Sequence, residues 1–332
     1  VQASAGILMR TSGEQGSAFG LGYPRRWRSG PRSIDVGGPR CQGNLRAEPR
    51  SVADPRSLAP GTRLPIRVRA APGPGAVRQP GAAVNIVVCV KRVPDTEARI
   101  KPAAGGASID PAGLKFIVSP YDEFALEAAL RSKEAQGAGE VVALTLGEAA
   151  AVEQLRSALA MGADRAVLLN GEPTQDGLAT ARALVAELSG MDAPLVLFGI
   201  KAMDDDQQQV GPMVATMLDR PCVTAVSEFT VEAGKVVCHR EAEGGIEVVE
   251  ADLPAVLTIT KGPHEPRYPS LKGIMAAKKK PLEEKAAAAV PARLKVERVE
   301  SPPERPAGRI VGQGVDAVPE LVRLLREEAK VL

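Results

Sequence analysis

Aromatic residues make up only 3% of this 332-residue chain, with one Trp, three Tyr and five Phe. Single-stranded nucleic acid is held on aromatic stacking platforms, so this scarcity argues against that class of partner. Histidine is rarer still. His239 and His264 are the two in the chain, a poor basis for a histidine metal centre or a Ser-His-Asp triad. The four cysteines, Cys41, Cys89, Cys222 and Cys238, contain no CxxC pair, so neither a zinc site nor a thioredoxin-like motif is indicated. Cys89 and Cys222 fall in apolar runs and read as buried thiols, while Cys238 sits in alternating sequence. No apolar run approaches the ~20 residues of a membrane span, so direct membrane insertion is not expected. Neither GxGxxG nor GxxxxGK[ST] occurs, and the dehydrogenase and P-loop readings lack their motif.

Lysine is absent from residues 1–83, which hold 13 Arg against four acidic residues amid frequent Gly and Pro. Residues 84–332 carry 14 Lys and 15 Arg against 36 acidic residues, so the formal net charge of +2 averages a basic piece and an acidic one. The mild basicity of the whole is therefore no sign of nucleic-acid binding. Residues 1–83 show no sustained hydrophobic periodicity and no signal-peptide apolar run. Their Arg-rich, acid-poor character is transit-peptide-like, but Pro and Gly oppose the amphipathic helix of such leaders. The expectation is a disordered leader or upstream sequence outside the native product, with the native start near Val84.

From Val84 onward, apolar runs alternate with helical patterns. The runs Asn85–Val90, Phe116–Val118, Glu140–Leu146, Ala166–Leu169 and Leu195–Phe198 read as strands. Asp122–Ala135, Ala149–Met161, Asp176–Leu188 and Gln208–Leu218 read as helices between and after them. Strands that are apolar throughout predict a mostly parallel sheet covered on both faces, the doubly wound α/β class. Ser227–Val231, Lys235–Arg240 and Ile246–Glu250, separated by Gly-containing turns, predict a small antiparallel extension. Pro281 to Glu304 reads as an extended arm and Val318–Lys330 as a terminal helix. The domain reading is 84–275 for the α/β body, with a recognition loop at 261–281, and 276–332 for the arm and terminal helix.

Two segments invite function. Gly199–Gly211 (GIKAMDDDQQQVG) follows a strand and opens a helix, the place where α/β sheets bind nucleotides and where helix-terminal N–H groups favour phosphate. Asp204, Asp205 and Asp206 would repel phosphate unless they point away, and simple helix capping is an equal reading. Lys261–Pro281 (KGPHEPRYPSLKGIMAAKKKP) is punctuated by Pro263, Pro266 and Pro269, which prevent regular structure. It presents Leu271, Ile274 and Met275 at helical spacing and ends in Lys278–Lys280. By spacing the triplet packs on the chain's own core or docks on an acidic, pocketed partner; both stay open.

Three collinear motifs resemble the β subunit of electron-transfer flavoprotein: VKRVPDTEARI at Val90–Ile100, LAMGADRAV at Leu159–Val167 with GIKAMDDDQQQVGP at Gly199–Pro212, and LPAVLTITKGPHEPRYPSLKGIMAAKKKP at Leu253–Pro281. The resemblance covers about 250 residues from Val84 to the C-terminus. It implies an adenine-nucleotide-binding type of fold and a non-enzymatic electron carrier. Its partners would be an α subunit holding most of the FAD, flavin dehydrogenases such as acyl-CoA dehydrogenases, and a membrane quinone oxidoreductase as acceptor. It further implies a structural AMP site of Cys89, then Ser119, Pro120, Tyr121 and Asp122, then Leu146. The loop Gly199, Ile200, Lys201, Ala202, Met203, Asp204, Asp205, Asp206, Gln207, Gln208, Gln209 and Val210 would complete it. Arg240 and Glu241 would lie near FAD, the cation favouring its anionic reduced forms. Thr96 stands where relatives often carry an aromatic near the flavin. Leu271 would be a docking knob supported by Ile274 and Met275, with Lys278–Lys280 steering acidic partners. The implied compartment is the cytoplasm of a bacterium or the mitochondrial matrix of a eukaryote. Two alternatives remain: an electron-bifurcating relative with a second FAD in place of AMP, which the bulky Asp205 disfavours, and a universal-stress-type nucleotide-binding regulator.

Overall fold

The computed structural model describes residues 6–11, 65–67, 84–172, 176–303 and 308–332. The expectation for residues 1–83 lies outside the described residues, except at two short strands, β1 (Gly6–Thr11) and β2 (Pro65–Arg67). The chain divides into two units. The larger is Met9–Arg99 with Ala112–Lys295, and the smaller is Val1–Leu8, Ile100–Pro111 and Val296–Leu332.

The larger unit holds a doubly wound sheet. Its strands are β3 (Ile86–Cys89), β6 (Val141–Gly147), β7 (Arg165–Asn170), β8 (Leu195–Gly199), β9 (Cys222–Glu232), β10 (Lys235–Ala242), β11 (Gly245–Asp252), β12 (Ala255–Ile259) and β13 (Leu282–Ala286). The spatial order is β13-β7-β6-β3-β8-β12-β9-β10-β11-β2. Pairing is parallel from β13 through to β9 and antiparallel along β9, β10 and β11. A separate hairpin pairs β4 (Arg92–Pro94) with β5 (Phe116–Val118).

The apolar runs explain the two layers. Successive strand residues face opposite sides, so Ile86, Val88, Val141, Ala143, Leu195, Leu197 and Leu257 enter one core. Their neighbours Val87, Cys89, Val142, Leu144, Val196, Phe198 and Val256 enter the other. The first core is closed by α1 (Pro120–Gln136) and α2 (Val152–Met161), through Leu126, Leu130, Leu155 and Leu159. The second is closed by α3 (Gly177–Leu188) and α4 (Val210–Met217), through Leu184, Leu188 and Val214. The antiparallel extension buries one face only, with Val236, Cys238, Val249 and Ala251 continuing the first core.

The C-terminal region departs from expectation. The arm was expected to begin at 276, yet β13 pairs in parallel with β7 from Leu282↔Ala166 to Ala286↔Asn170. Its backbone donors and acceptors complete the exposed edge of the chain's own sheet, so the α/β body continues beyond 275. Before it, α5 (Leu271–Ala277) packs on α2. In the smaller unit, β14 (Leu294–Glu300) arrives from the larger one, and Val299 N donates to Gly106 O at 2.6 Å. There α6 (Val318–Glu327) is amphipathic, with Val318 and Leu321 exposed.

Leu197 sits fully buried on β8, between β3 and β12. Leu197→Ala is expected to lower stability by about 2–5 kcal/mol, through lost burial and a cavity with little room to collapse. Denaturant unfolding of the two proteins checks this.

Candidate functional site in the crevice at the strand ends

The chain runs from β3 outward to β6 and β7, then returns to place β8 and β12 on the other side of β3. At such a switch point the carboxyl ends of neighbouring strands lead away to opposite faces and leave a crevice. A cleft enclosing about 1170 Å³, open mouth included, lies there. Cys89 closes its floor from β3, Leu144, Leu146 and Gly147 from β6, Phe198 and Gly199 from β8, and Thr258 from β12. The loop after β8 and the first turns of α3 and α4 form the walls. The lower part is apolar, while the N-terminus of α4, which has no side-chain cap, brings backbone N–H groups suited to an anion.

Asp122, in the first turn of α1, ties the crevice together. Its Oδ2 accepts from Lys91 N at 2.7 Å and its Oδ1 from Gly199 N at 3.0 Å, joining the segments that leave β3 and β8. Burial pushes its carboxyl up to about 7, against the opposing pull of those two N–H groups and of the Lys91 ammonium. Gly199 is required for this contact, since a Cβ there would lie 2.8 Å from Asp122 N and Tyr121 C and strike the carboxylate.

The three consecutive acids are partly offset by two lysines. Lys91 Nζ lies 2.8 Å from both Asp204 Oδ1 and Asp205 Oδ2, and Lys201 Nζ lies 2.9 Å from Asp206 Oδ1. Asp206 and Gln208 adopt positive φ, 52° and 54°, a conformation uncommon for residues other than Gly. Gln209 Nε2 donates to Gln207 Oε1 and fastens the turn into α4. Arg92 also lines the cleft, its guanidinium 3.5 Å from the Phe116 ring centroid and its buried Nε without a hydrogen-bond partner.

Of the residues expected at the site, Cys89, Asp122, Leu146, Gly199, Ile200, Lys201, Ala202, Asp205, Gln207, Gln208, Gln209 and Val210 line the cleft. Ser119, Pro120, Tyr121, Met203, Asp204 and Asp206 do not line it. Ser119 is fully buried and starts α1, its carbonyl accepting from Asp122 N at 2.8 Å, so this turn aims Asp122 rather than facing the crevice itself. Asp204 and Asp206 stay off the lining although their partners Lys91 and Lys201 are on it. Sequence reasoning missed Arg92, Gly177, Thr180 and Thr258, which also line the cleft. A signal existed for α3: Asp176 caps it, accepting from Leu178 N at 3.0 Å and Ala179 N at 3.4 Å, and a capping Asp after a strand marks a helix start in this crevice.

Cys89, Cys222 and Cys238 are free thiols. Burial raises Cys89 well above its ordinary value, Cys222 to about 11 and Cys238 to about 12. Arg240 and Glu241 lie on the β10–β11 hairpin and not on the cleft. Arg240 faces Glu247 in the register, with Nε 3.2 Å from Glu247 Oε2 but without hydrogen-bond geometry.

The apolar triplet does not enter the core. Leu271, Ile274 and Met275 are 84%, 44% and 64% exposed. Gly273 lets α5 lie against α2, since a Cβ there would come within 2.5 Å of Ala160 O. Lys280 departs from its expected steering role. Its Nζ donates to Leu159 O at 3.1 Å and Ala163 O at 2.6 Å, capping the end of α2, and only Lys278 and Lys279 remain exposed.

Fold and crevice define a doubly wound α/β protein with a mostly parallel sheet and a small antiparallel extension. A model of the electron transfer flavoprotein domain matches residues 107–290. The chain is 42% identical over 225 residues to the electron transfer flavoprotein subunit beta of Syntrophomonas wolfei, covering 68% of this chain and 88% of that protein. It is 39% identical over 261 residues to that of Bacillus subtilis and 38% identical over 260 residues to that of Homo sapiens, each covering 75% of this chain and all of the relative. The chain belongs to the electron transfer flavoprotein β-subunit family, whose members are electron-transfer proteins. No helix among the described residues is long and apolar enough to cross a membrane.

Gly199→Ala is expected to cost about 1–3 kcal/mol by overpacking against Asp122, measured by denaturant unfolding. Asp122 also sets a pH dependence. Its folded value of about 7 lies above the ~3.9 of an unfolded Asp. The folded chain thus keeps a proton that the unfolded chain releases, and this contribution is full below about pH 4 and lost as pH rises through about 7. Thermal melting from pH 4 to 8 should show a flatter profile for Asp122→Asn than for the parent.

Proposed function

We propose that the chain is the β half of a heterodimeric electron carrier whose FAD is held mainly by an α subunit. Flavin dehydrogenases such as acyl-CoA dehydrogenases would reduce it, and a membrane quinone oxidoreductase would reoxidise it. FAD supplies the redox chemistry when bound. This chain contributes a structural AMP site, a docking loop and, through Arg240 and Glu241, part of the surroundings of the flavin. It makes and breaks no bonds with its own side chains and is not an enzyme. In a bacterium its compartment would be the cytoplasm, and in a eukaryote the mitochondrial matrix.

Several features support an AMP site in the crevice. Cys89, Leu144, Leu146 and Phe198 offer apolar surface to an adenine, and Arg92 with the N-terminal turn of α4 suits a phosphate. Lys91, shared by Asp204 and Asp205, and Lys201, paired with Asp206, offset most of the negative charge that would oppose an anion there.

The observation that carries the reading is the exposed apolar row Leu271, Ile274 and Met275 on an ordered helix, with Lys278 and Lys279 beside it. Large side chains shown to water on a fixed element mark a contact site, and the neighbouring cations favour encounter with an acidic partner. Docking brings the two redox centres close, and the basic residues set how often the complex forms.

Leu271→Ala in the heterodimer should leave FAD and AMP content unchanged and raise KM for an acyl-CoA dehydrogenase about tenfold or more, as for a central interface anchor. Steady-state kinetics check this, and an unchanged KM would refute the docking assignment. Cofactor content of the purified complex should be one FAD and one AMP; two FAD would replace the reading with the electron-bifurcating one.

A further inference from the structure

We propose that Arg267 is a positioning residue, a tether that holds the segment before α5 on α1 so that Leu271 is presented in a ready-made pose. The inference rests on reading Leu271, Ile274 and Met275 as a docking surface.

Three large apolar side chains on α5 face water, so burial of that row cannot be what holds the helix in place. Polar ties at each end do so instead. On the N-terminal side, Arg267 meets Glu127 and Glu134 of α1. Its Nε donates to Glu127 Oε2 at 2.8 Å and its Nη2 to Glu127 Oε1 at 3.2 Å, while its backbone N reaches the same Oε2 at 3.2 Å. Its Nη1 and Nη2 also donate to Glu134 Oε1 and Oε2 at 2.6 and 3.2 Å. On the C-terminal side, Arg156 Nη1 of α2 donates to Ala277 O at 2.6 Å and Lys280 O at 2.9 Å. Lys280 itself reaches back to the carbonyls at the end of α2.

Glu127 makes the N-terminal tie strong. Its side chain is only 2% exposed, and a buried carboxylate requires cationic partners. Burial would raise its pKa, but the hydrogen bonds and charge of Arg267, helped by Arg131 with Nε 2.7 Å from Glu127 Oε1, hold it below the ordinary value. Only a guanidinium can serve both carboxylates at once: its planar fork gives paired parallel bonds, whereas an ammonium is a single point of charge. Immediately beyond the tie, Tyr268 is 95% exposed and Ser270 caps α5 by accepting from Gly273 N at 3.0 Å. A segment already ordered loses less freedom when a partner closes on it, which favours complex formation without touching the redox step.

The test uses the FAD-loaded heterodimer. Arg267→Lys keeps the charge and removes the fork, and Glu134→Gln, at the exposed end of the tie, is a milder second variant. Amide hydrogen exchange over residues 268–277 should quicken about tenfold in Arg267→Lys. KM for an acyl-CoA dehydrogenase should rise about fivefold with kcat and FAD content retained, and Glu134→Gln should shift both readouts in the same direction by less. Adding Leu271→Ala to Arg267→Lys should raise KM less than it does in the parent, because a loosened anchor contributes less. Exchange at 268–277 unchanged in both variants would overturn the tether. An unchanged KM in Arg267→Lys, where Leu271→Ala alone raises it, would overturn the positioning role. An unchanged KM in Leu271→Ala alone would instead remove the docking surface, and the positioning role with it.

Discussion

The bridge that Asp122 makes between Lys91 N and Gly199 N is the constraint on which the rest of this structure depends. At the switch point, the segments leaving β3 and β8 must part, and each would expose a backbone donor inside a largely apolar crevice. One carboxylate satisfies both. To do so it must project from the first turn of α1, which sets where that helix lies on the sheet. The absence of a side chain at Gly199 is the complementary requirement. The crevice therefore stays open because its rim is pinned by hydrogen bonds rather than filled by side chains.

The consequences reach along α1. The helix that starts at the crevice carries Glu127 and Glu134 further on, the carboxylates that receive Arg267. Likewise α2 is preceded by Ala150 and Ala151 at the crevice and offers its C-terminal carbonyls to Lys280. Two helices on one face of the sheet thus border the crevice near their starts and hold the segment 267–280 further along. This division explains how a row of apolar side chains stays exposed on an ordered element. Charge-assisted hydrogen bonds to the body and the burial of Ala277 hold the helix, and the apolar row takes no part in fixing it.

Much of this was legible in the sequence. Runs such as EVVALTL are apolar at every position because both faces of the strand are buried, and that alone identifies a covered parallel sheet. The Gly-punctuated strands after Cys222 likewise announced a one-faced antiparallel extension. In the site, Gly199 to Val210 was legible as a loop between a strand and a helix, and most of it lines the cleft. Arg92, Thr180 and Thr258 were not, because each comes from a different element and only the sheet order brings them together. The role of Lys280 is hidden in the sequence for a related reason. In sequence it is one of three equal lysines, and only the position of the α2 C-terminus separates it from its neighbours.

The sequence by itself determined the fold class, the strand-and-helix order and the family, since hydrophobic period and motif spacing are local properties of the chain. Tertiary structure decided which charges are spoken for and which are free. Asp204, Asp205 and Asp206 are paired with lysines that lie apart from them in the chain or turn back within the loop. Glu127 and Arg267 meet across 140 positions. It also decided that Leu271, Ile274 and Met275 face outward, a choice that helical spacing leaves open. The physical reason is common to all of these: a side chain's role depends on the partners within a few ångströms, and those partners are assembled by the order of strands in the sheet.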